Sequence, residues 1–185
     1  GYTAMVQKML ADVEVRLNTD YFELVAEKPD IAEKVIYTGC IDEFFGYQLG
    51  ALHYRSLRFE TEELNMEDYQ GNAVVNYTER EVPYTRIIEH KHFEFRIQPT
   101  TVISREYSVE WAPGLEPYYP INDTENNRRY AQYKKLAGEQ NSVIFGGRLG
   151  KYCYYDMDKV VRAALDDVAT MLGSMEKRSD DQLDD

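Results

Sequence analysis

Cysteine, histidine and tryptophan are scarce in this sequence, which has two, three and one of them in 185 residues. Cys40 and Cys153 show neither a partner pattern nor the spacing of metal ligands, so we expect no disulfide framework and a reducing, cytoplasmic setting. No apolar run reaches the length that crosses a bilayer, and we expect no signal sequence. The scarcity of these features argues against a secreted, disulfide-stabilised domain and against a membrane span.

Positive charge is also in short supply. The chain carries 21 Lys and Arg against 33 Asp and Glu, which gives a formal net charge of −12. A deficit of this size argues against general nucleic-acid binding, which requires a basic surface. It leaves room for a small anionic ligand, because a few arginines in one pocket set the local potential.

Two ligand-binding patterns are incomplete. The segment 146–151 reads Gly-Gly-Arg-Leu-Gly-Lys, but Phe145 occupies the first glycine position of a P-loop and Tyr152 replaces its Ser or Thr. His90 and His92 have the spacing of a metal pair on a strand, yet no third ligand follows at a typical distance. We therefore predict neither a P-loop nor a metal site.

Apolar residues and tyrosine are abundant by comparison. Apolar side chains make up 43% of the chain, which is enough for one domain with a buried core. The 16 tyrosines offer flat apolar faces and phenol hydroxyls, which suit sugars and phosphates as well as ordinary β-sheets. Composition alone leaves both uses open.

The middle of the chain has the alternation of β-strands. Gly71, Pro83 and Pro99 mark the connections, and connections this short favour antiparallel pairing. Helical patterns lie before and after this region, so the sequence predicts an α+β fold in which helices flank an antiparallel sheet. The four predicted strands cover residues 54–63, 73–78, 85–95 and 101–109.

The first fifty residues mix helical and strand patterns. Thr3 is expected to cap an amphipathic helix, residues 13–17 alternate as a strand does, and Pro29 interrupts an irregular segment. A short apolar strand at 35–38 precedes a helix that Asp42 is expected to cap. This strand-glycine-helix unit predicts a piece of a Rossmann-like domain.

The last third of the chain begins with a polar helix, which Asn122 or Thr124 is expected to cap. A strand at 143–145 then runs into a glycine turn, and Asp156 is expected to cap the final helix through its side chain. An acidic tail that is expected to fray follows Met175. The final helix has apolar residues at helical spacing, namely Val160, Val161, Ala164, Leu165, Val168, Met171 and Leu172.

This strand, turn and helix have the layout of a cofactor seat. Glycines at the end of a strand let a ligand approach the backbone. The free amides and the dipole of a helix N-terminus attract an electron-rich or anionic group. Strand-turn-helix units are common, so the layout alone does not decide the function.

Several polar residues are candidates for an anion or sugar site. Arg55 shares a predicted strand face with apolar neighbours, and Arg86 lies on another strand; an ordinary ion pair is the alternative for each. Asn76 is a candidate hydrogen-bonding group in a pocket. Tyr119 and Tyr154 lie in a turn and a loop, where simple packing is the alternative.

A more specific signal comes from six segments that follow one another along the chain. They resemble UDP-galactopyranose mutase, and the resemblance extends from Gly1 to about Val168. The segments are VIYTGCIDEFF, LHYRSLRFETEEL, GNAVVNYTEREVPYTRIIEHKHFEF, TVISREYSVEW, EPYYPIND and GGRLGKYCYYDMDKVVRAAL.

The resemblance implies roles for individual residues. Arg86 would bind the diphosphate of a sugar nucleotide, with Tyr119, Tyr154 and Asn76 as further substrate contacts. Arg55 and Asp156 would lie in the pocket beside the ligands. The residues that would contact the flavin are Arg148, Met157, Asp158, Lys159, Val160 and Val161.

The resemblance also implies an activity. The family is known for interconverting UDP-galactopyranose and UDP-galactofuranose in bacterial cell-surface polysaccharide synthesis, through a covalent adduct at N5 of reduced FAD. UDP-galactose is thus the implied substrate, FAD the implied cofactor, and a homodimer is an option for the complete enzyme. A related flavin-dependent oxidoreductase and a non-catalytic module that binds sugar nucleotides are the alternatives.

The resemblance covers only part of such an enzyme. The family begins with a Rossmann-type flavin-binding stretch and continues into a helical substrate domain, and this sequence matches neither. We therefore expect a C-terminal portion that is inactive by itself and retains no FAD. Its expected parts are 1–50 and 123–175 from the FAD-binding domain, the sheet domain at 51–122, and the tail at 176–185.

Overall fold

The computed structural model describes residues 1–112 and 114–181, with side chains through residue 173. Its helices are α1 (Tyr2–Met9), α2 (Tyr21–Glu27), α3 (Ile41–Phe44), α4 (Thr124–Gly138), α5 (Gly147–Gly150) and α6 (Met157–Asp181), together with a 3-10 helix at His90–Phe93. Its strands are β1 (Val35–Tyr37), β2 (Tyr54–Leu64), β3 (Val74–Asn76), β4 (Arg86–Glu89), β5 (Thr101–Glu110), β6 (Tyr119–Pro120) and β7 (Val143–Phe145).

Five of the strands form one sheet in the order β3-β4-β5-β2-β6. The pairs β3–β4, β4–β5 and β2–β6 are antiparallel, as the short connections predicted. Arg86 of β4 lies opposite Asn76 of β3 on one side and opposite Glu106 of β5 on the other. The predicted antiparallel sheet and mixed helix-strand architecture are confirmed.

The two remaining strands, β1 and β7, form a separate parallel pair. Val35 lies opposite Val143 and Tyr37 lies opposite Phe145. Parallel strands need a long crossover connection, and here the connection runs from Tyr37 to Val143 and includes the five-stranded sheet. This pair and the helices after each strand correspond to the predicted strand-helix pieces.

The described chain divides into two compact units. Unit 1 comprises residues 1–33 and 59–107, and unit 2 comprises residues 34–58 and 108–185. In unit 1, Ile87 of β4 and Ile103 of β5 are fully buried. The predicted domain boundaries refer to parts of a longer enzyme and stay predictions.

Unit 2 has an aromatic core. Tyr133 donates a hydrogen bond from its hydroxyl to the Gly50 carbonyl and accepts one from the Leu49 amide, so its buried phenol is satisfied. Phe45, which follows α3, stacks on the Tyr133 ring, and Phe145 of β7 stacks on Phe45. The buried residues of this core are Cys40, Ile41, Leu52, Tyr54, Tyr133 and Tyr152.

Two predictions for the first thirty residues are wrong. Residues 13–17 alternate like a strand, but no strand of the described structure pairs with them, and they form an irregular segment with bends at both ends and exposed side chains. The helix α2 was not predicted, although Asp20 caps it through hydrogen bonds from the amides of Phe22 and Glu23. It ends before Pro29, which disfavours helical geometry in the residue before it.

The predicted caps are also displaced. Thr3 lies inside α1, and the cap of α4 is Asp123, which lies between the two predicted candidates. Asp42 lies inside α3 and is fully buried, where it accepts hydrogen bonds from the Leu52 amide and the Tyr54 hydroxyl. Adjacent Asp, Asn and Thr residues have similar capping preferences, so the sequence did not separate them.

The third predicted strand is too long. The strand β4 ends at Glu89, and the chain then turns through the 3-10 helix His90–Phe93. Phe95 follows with a φ of 53°, a left-handed conformation that a strand does not contain. The two histidines of this segment therefore do not lie on one strand face.

The apolar stripe predicted for the final helix is largely exposed in the described structure. Val161, Leu165 and Leu172 expose 51%, 61% and 52% of their surface. Within the described part of the chain, none of the helices has both the length and the apolar character needed to cross a bilayer. The predicted acidic tail lies outside the residues whose side chains are described.

Candidate functional site

The residues predicted to bind substrate and cofactor fall into two groups, one in each unit. Arg55, Tyr119, Arg148, Tyr154 and the start of α6 belong to unit 2. Asn76 and Arg86 belong to unit 1. Each group has its own contacts and is described separately.

The group in unit 2 begins at the end of the parallel strand pair. The Gly146 amide donates to the Tyr37 carbonyl, which extends the pairing by one residue. Gly147 has a φ of 70°, and a Cβ there would lie 3.4 Å from the Thr38 Cβ. The turn into α5 thus requires glycine, and it leaves the backbone at the strand end without side chains.

Arg148 is the first side chain after this turn. Its Nε donates to the Tyr155 carbonyl at 2.7 Å, and its guanidinium carbon lies 5.2 Å from the centre of the Tyr154 ring. A cation over an aromatic face is attracted by the ring quadrupole. These two contacts fix the arginine to the loop that precedes α6.

Tyr154 connects this loop to the sheet. Its ring centre lies 5.5 Å from that of Tyr119 in an edge-to-face arrangement. Tyr119 in turn lies opposite Arg55 in the β2–β6 pair. Four predicted site residues, Arg55, Tyr119, Tyr154 and Arg148, therefore form one continuous series.

Main-chain hydrogen bonds hold the two tyrosine-bearing segments in place. The Tyr118 amide donates to the Arg55 carbonyl, which fixes the short strand β6 beside β2. The buried Tyr152 hydroxyl lies 2.6 Å from the His53 carbonyl and 2.9 Å from the Ile121 carbonyl. Burial raises the pKa of Tyr152, so its phenol stays a neutral donor. Tyr154 follows two residues later and projects 58% exposed.

The helix α6 starts directly after this loop. The Val160 amide donates to the Asp156 carbonyl, so the first helical hydrogen bond spans these two residues and the expected helix start is confirmed. The side-chain cap by Asp156 stays a prediction. The residues predicted to contact flavin, 157–161, form the first turn, and Asp158 and Lys159 pair with each other at 3.2 Å.

The donor set at this end of unit 2 fits a flavin. The amides of Met157 to Lys159 have no acceptor within their own helix, and Gly146 and Gly147 keep side chains away from the strand end. Arg148 adds a cation beside an exposed aromatic face. These donors suit a flat ring that carries carbonyl oxygens and accumulates negative charge.

The group in unit 1 is a row of three side chains across three strands. Arg86 Nε donates to Asn76 Oδ1 at 3.0 Å, and Arg86 Nη1 lies 3.6 Å from Glu106 Oε2. The structure thus brings Asn76 and Arg86 together, and it also contains the ion pair that was the alternative explanation for Arg86. The Arg86 side chain remains 42% exposed, so a ligand can still reach it.

Sequence reasoning missed Glu106, since nothing in the sequence alone marks it. It lies twenty residues beyond Arg86, on a strand whose register the sequence did not fix. The antiparallel pairing of β4 and β5 brings the two side chains together. A register prediction from the alternation of buried residues in both strands would have been the only signal.

A second missed group surrounds Glu89, His92 and Asp68. One ligand atom from each lies within 4.8 Å of the others. Glu89 precedes His92 by three residues, whereas Asp68 is distant from both in the sequence. The Lys91 ammonium also lies 2.9 Å from Asp68 Oδ1, and the amides of Tyr69 and Gln70 donate to Glu89. We interpret this group as a network of paired charges, and the expectation of no metal stays a prediction.

Comparison with known proteins identifies relatives. A family profile described as UDP-galactopyranose mutase matches residues 1–154. A probable UDP-galactopyranose mutase of Klebsiella pneumoniae is 38% identical over 176 residues, which make up 95% of this chain and 45% of the relative. A dTDP-fucopyranose mutase of Escherichia coli is 34% identical over 90% of this chain and 46% of its own length. A UDP-galactopyranose mutase of Mycoplasma pneumoniae is 34% identical over 89% of this chain and 45% of its own length. The chain thus spans about half the length of the curated relatives it matches.

Proposed function

Because the chain belongs to the UDP-galactopyranose mutase family, we propose that it forms the C-terminal portion of an isomerase that interconverts UDP-galactopyranose and UDP-galactofuranose. The proposal assigns the chemistry to the complete enzyme. This chain would contribute groups that bind the sugar nucleotide and one side of the flavin site. A cytoplasmic location and a homodimer belong to the same proposal.

The observation that carries the proposal is the series of arginines and tyrosines in unit 2. Arg55 lies opposite Tyr119 in the strand pair, the Tyr119 ring contacts the Tyr154 ring, and the Arg148 guanidinium lies over the Tyr154 ring. Guanidinium groups match the geometry of phosphate oxygens and stay charged at every physiological pH. A phenol adds a neutral donor and an apolar face for a sugar ring.

Arg86 supports the same ligand class from unit 1. Asn76 holds its Nε, and nearly half of the side chain is exposed. We propose that Arg86 binds the diphosphate and that Asn76 contributes a further substrate hydrogen bond. Positioning the leaving diphosphate would keep it close for recombination with the sugar.

Reduced FAD would supply the nucleophile for the sugar when it is bound, and the protein would supply binding and orientation. The residues that would hold the flavin are Arg148 and the first turn of α6 from Met157 to Val161, in which the amides of Met157 to Lys159 have no acceptor within the helix. Asp156 would lie beside the ligands. None of these side chains has to act as a nucleophile.

The test of the proposed function is a pair of substitutions in the complete protein. Arg86→Ala removes the diphosphate contact, and we expect UDP affinity to fall about 30-fold or more, because a charge-assisted contact is worth roughly 2 kcal/mol or more. Arg86→Lys keeps the charge without the fork of donors, and we expect an intermediate loss. The measurements are calorimetric titration with UDP and turnover of UDP-galactofuranose.

A control isolates the role of Arg86. Arg105→Ala removes another sheet arginine, which pairs with Glu62 at 2.9 Å and is not predicted to touch substrate. UDP affinity should be unchanged in this variant. Equal UDP affinity in Arg86→Ala and in the unaltered protein would remove Arg86 from the site.

The similarity to a dTDP-fucopyranose mutase supports a second candidate substrate. Both names describe mutases of a pyranose attached to a nucleoside diphosphate, so the groups proposed here for the diphosphate suit either ligand. Parallel turnover assays with UDP-galactopyranose and dTDP-fucopyranose distinguish the two. Conversion of dTDP-fucopyranose alone would replace the UDP-galactose assignment.

A further inference from the structure

We propose that Glu106 is a positioning residue, which holds the Arg86 guanidinium in the orientation that receives a diphosphate. This inference rests on the proposed function of Arg86. It adds a carboxylate that would touch the arginine and not the substrate. Three observations lead to it: the register of three strands, the burial of Glu106, and the contacts of Arg86, whose Nε and Nη1 face different residues.

The register fixes the three side chains in a row. Asn76 lies opposite Arg86 in the β3–β4 pair, and Arg86 lies opposite Glu106 in the β4–β5 pair. Directly opposite residues in antiparallel strands project from the same face of the sheet. The row therefore follows from the backbone, and a change of rotamer at the surface cannot remove it.

Burial separates this ion pair from an ordinary surface pair. The Glu106 side chain is only 9% exposed, whereas the Arg86 side chain is 42% exposed. A buried carboxylate needs partners, and Thr85 Oγ1 donates to Glu106 Oε1 at 3.2 Å. Glu106 is thus the buried member of the pair, and Arg86 is the member that a ligand in solvent can contact.

The contacts of Arg86 also leave one edge for a ligand. Asn76 Oδ1 accepts from Nε, and Glu106 Oε2 lies next to Nη1. Neither contact uses Nη2. An arginine restrained at two of its three nitrogens loses less conformational entropy when an anion binds to the third.

The negative charge of Glu106 opposes the binding of an anion to Arg86, so the presence of this carboxylate beside the arginine needs a reason. Carboxylate and phosphate repel each other, and a neutral partner would avoid this cost. Orientation supplies the reason, because bound geometry must be held within about 0.5 Å for a site to work well. The test must therefore alter geometry without altering charge.

Glu106→Asp meets this requirement, because it keeps the charge and shortens the side chain by one methylene. In the 185-residue chain we expect greater mobility of the Arg86 Nε–H bond in 15N relaxation measurements. Inorganic pyrophosphate and UDP should bind about three- to tenfold more weakly than in the unaltered chain. Thr85→Val removes the hydrogen bond to Glu106 Oε1 but keeps the Glu106 side chain itself. We expect it to give a smaller change in the same direction.

The matched control is Glu62→Asp, which shortens the partner of Arg105 on the same sheet. It should loosen Arg105 and leave both Arg86 mobility and pyrophosphate affinity unchanged. Equal Arg86 mobility in Glu106→Asp, Thr85→Val and the unaltered chain would overturn the positioning role. If Glu106→Asp does not fold, Thr85→Val decides the question through the same relaxation measurement.

The two proposals fail in different ways. UDP binding that persists undiminished in the Arg86→Ala variant of the complete protein counts against the function proposed for Arg86. The relaxation measurement needs no ligand, so it still tests whether Glu106 orders the arginine. Arg86-dependent binding that Glu106→Asp and Glu62→Asp affect equally would overturn the positioning role alone.

Discussion

At the scale of single residues, two fully buried carboxylates organise the surrounding main chain. Asp42 accepts from the Leu52 amide and the Tyr54 hydroxyl in unit 2. Glu89 accepts from the amides of Tyr69 and Gln70 in unit 1. Each carboxylate satisfies donors that would otherwise be buried without partners.

Glu89 makes stability depend on pH. Burial alone would raise its pKa, but hydrogen bonds from Thr101 and from the amides of Tyr69 and Gln70, together with His92, lower it from 4.5 to about 2. A lowered pKa in the folded state stabilises the protein fully above the unfolded value. We expect about 3 kcal/mol of unfolding free energy to be lost as the pH falls from 4.5 to 2.

Glu89→Gln should remove this dependence. The amide presents a donor to the main-chain donors, so we expect the unfolding free energy at pH 7 to fall by roughly 2–4 kcal/mol. Urea unfolding at several pH values measures both effects. The exposed Glu63→Gln serves as control and should change stability by less than about 0.5 kcal/mol. A Glu89→Gln variant as stable as this control would contradict the assigned role.

The buried thiol of Cys40 is held in its protonated form. Burial and the nearby carboxylates Asp42, Glu43 and Glu116 raise its pKa to about 12, against a smaller opposing effect of a hydrogen bond with Tyr54. A thiol with such a pKa is not ionised at neutral pH. This agrees with a proposed chemistry that needs no protein nucleophile.

At the scale of elements, the short helix α5 depends on a close approach of two backbones. A Cβ on Gly150 would lie 3.0 Å from the Tyr37 carbonyl oxygen of β1. The carbonyl belongs to a paired strand and cannot move without disturbing it. Gly150 therefore fixes the distance between the strand pair and the loop that carries Tyr154.

Gly150→Ala should destabilise the chain by about 1–3 kcal/mol, because the added methyl overpacks this contact. Gly138→Ala is the matched control, since Gly138 lies within α4 and a Cβ there would meet no atom within 4 Å. Alanine favours helix, so we expect this control to be neutral or more stable by up to about 1 kcal/mol. Thermal unfolding of both variants provides the comparison. Equal melting temperatures would show that the loop absorbs the methyl.

Local sequence patterns predicted helices and strands correctly where tertiary contacts support the same structure. They failed where contacts with residues distant in sequence determine the structure. The alternation in β2 and β5 predicted strands that do pair, whereas the same alternation at 13–17 has no partner strand among the residues that the structure describes. Asp42 has the local signature of a cap, but its partners are ten and twelve residues away. Periodicity cannot distinguish these outcomes, because they depend on neighbours that are distant in sequence.

The candidate site was predictable to the extent that it resembles a family. The residues themselves left ordinary ion pairs and packing open for Arg55, Arg86 and the tyrosines. Register then explains Glu106, which no local pattern marked. Substrate and cofactor roles for these residues stay predictions.

At the scale of the whole molecule, the chain has the apolar content of a globular protein but matches only part of its relatives. It spans about half the length of its curated relatives, and its sequence contains no G-x-G-x-x-G loop for a pyrophosphate. Apolar side chains on α1 and α6, among them Tyr2, Met9 and Leu165, are more than half exposed. Exposure of this kind is typical of surfaces that contact other polypeptide.

The purified 185-residue chain should therefore retain no FAD. One side of a flavin site lacks the contacts that a glycine loop makes with the cofactor phosphates, and the remaining donors give weak binding. Absorbance spectra before and after gel filtration with excess FAD measure retention. The complete protein is the control and should keep its flavin. A stoichiometric flavin band in the chain alone would contradict this expectation.

The parallel pairing of β1 with β7 has a consequence for how the chain acquires its structure. Val35 pairs with Val143, more than a hundred positions later, so this strand pair cannot form before the chain between them has been synthesised. Closing so long a loop costs entropy before the contacts between the two strands can stabilise it, which makes this step slow. Until then β1 lacks this partner, and an unpaired strand edge is the kind of surface that chaperones protect during synthesis.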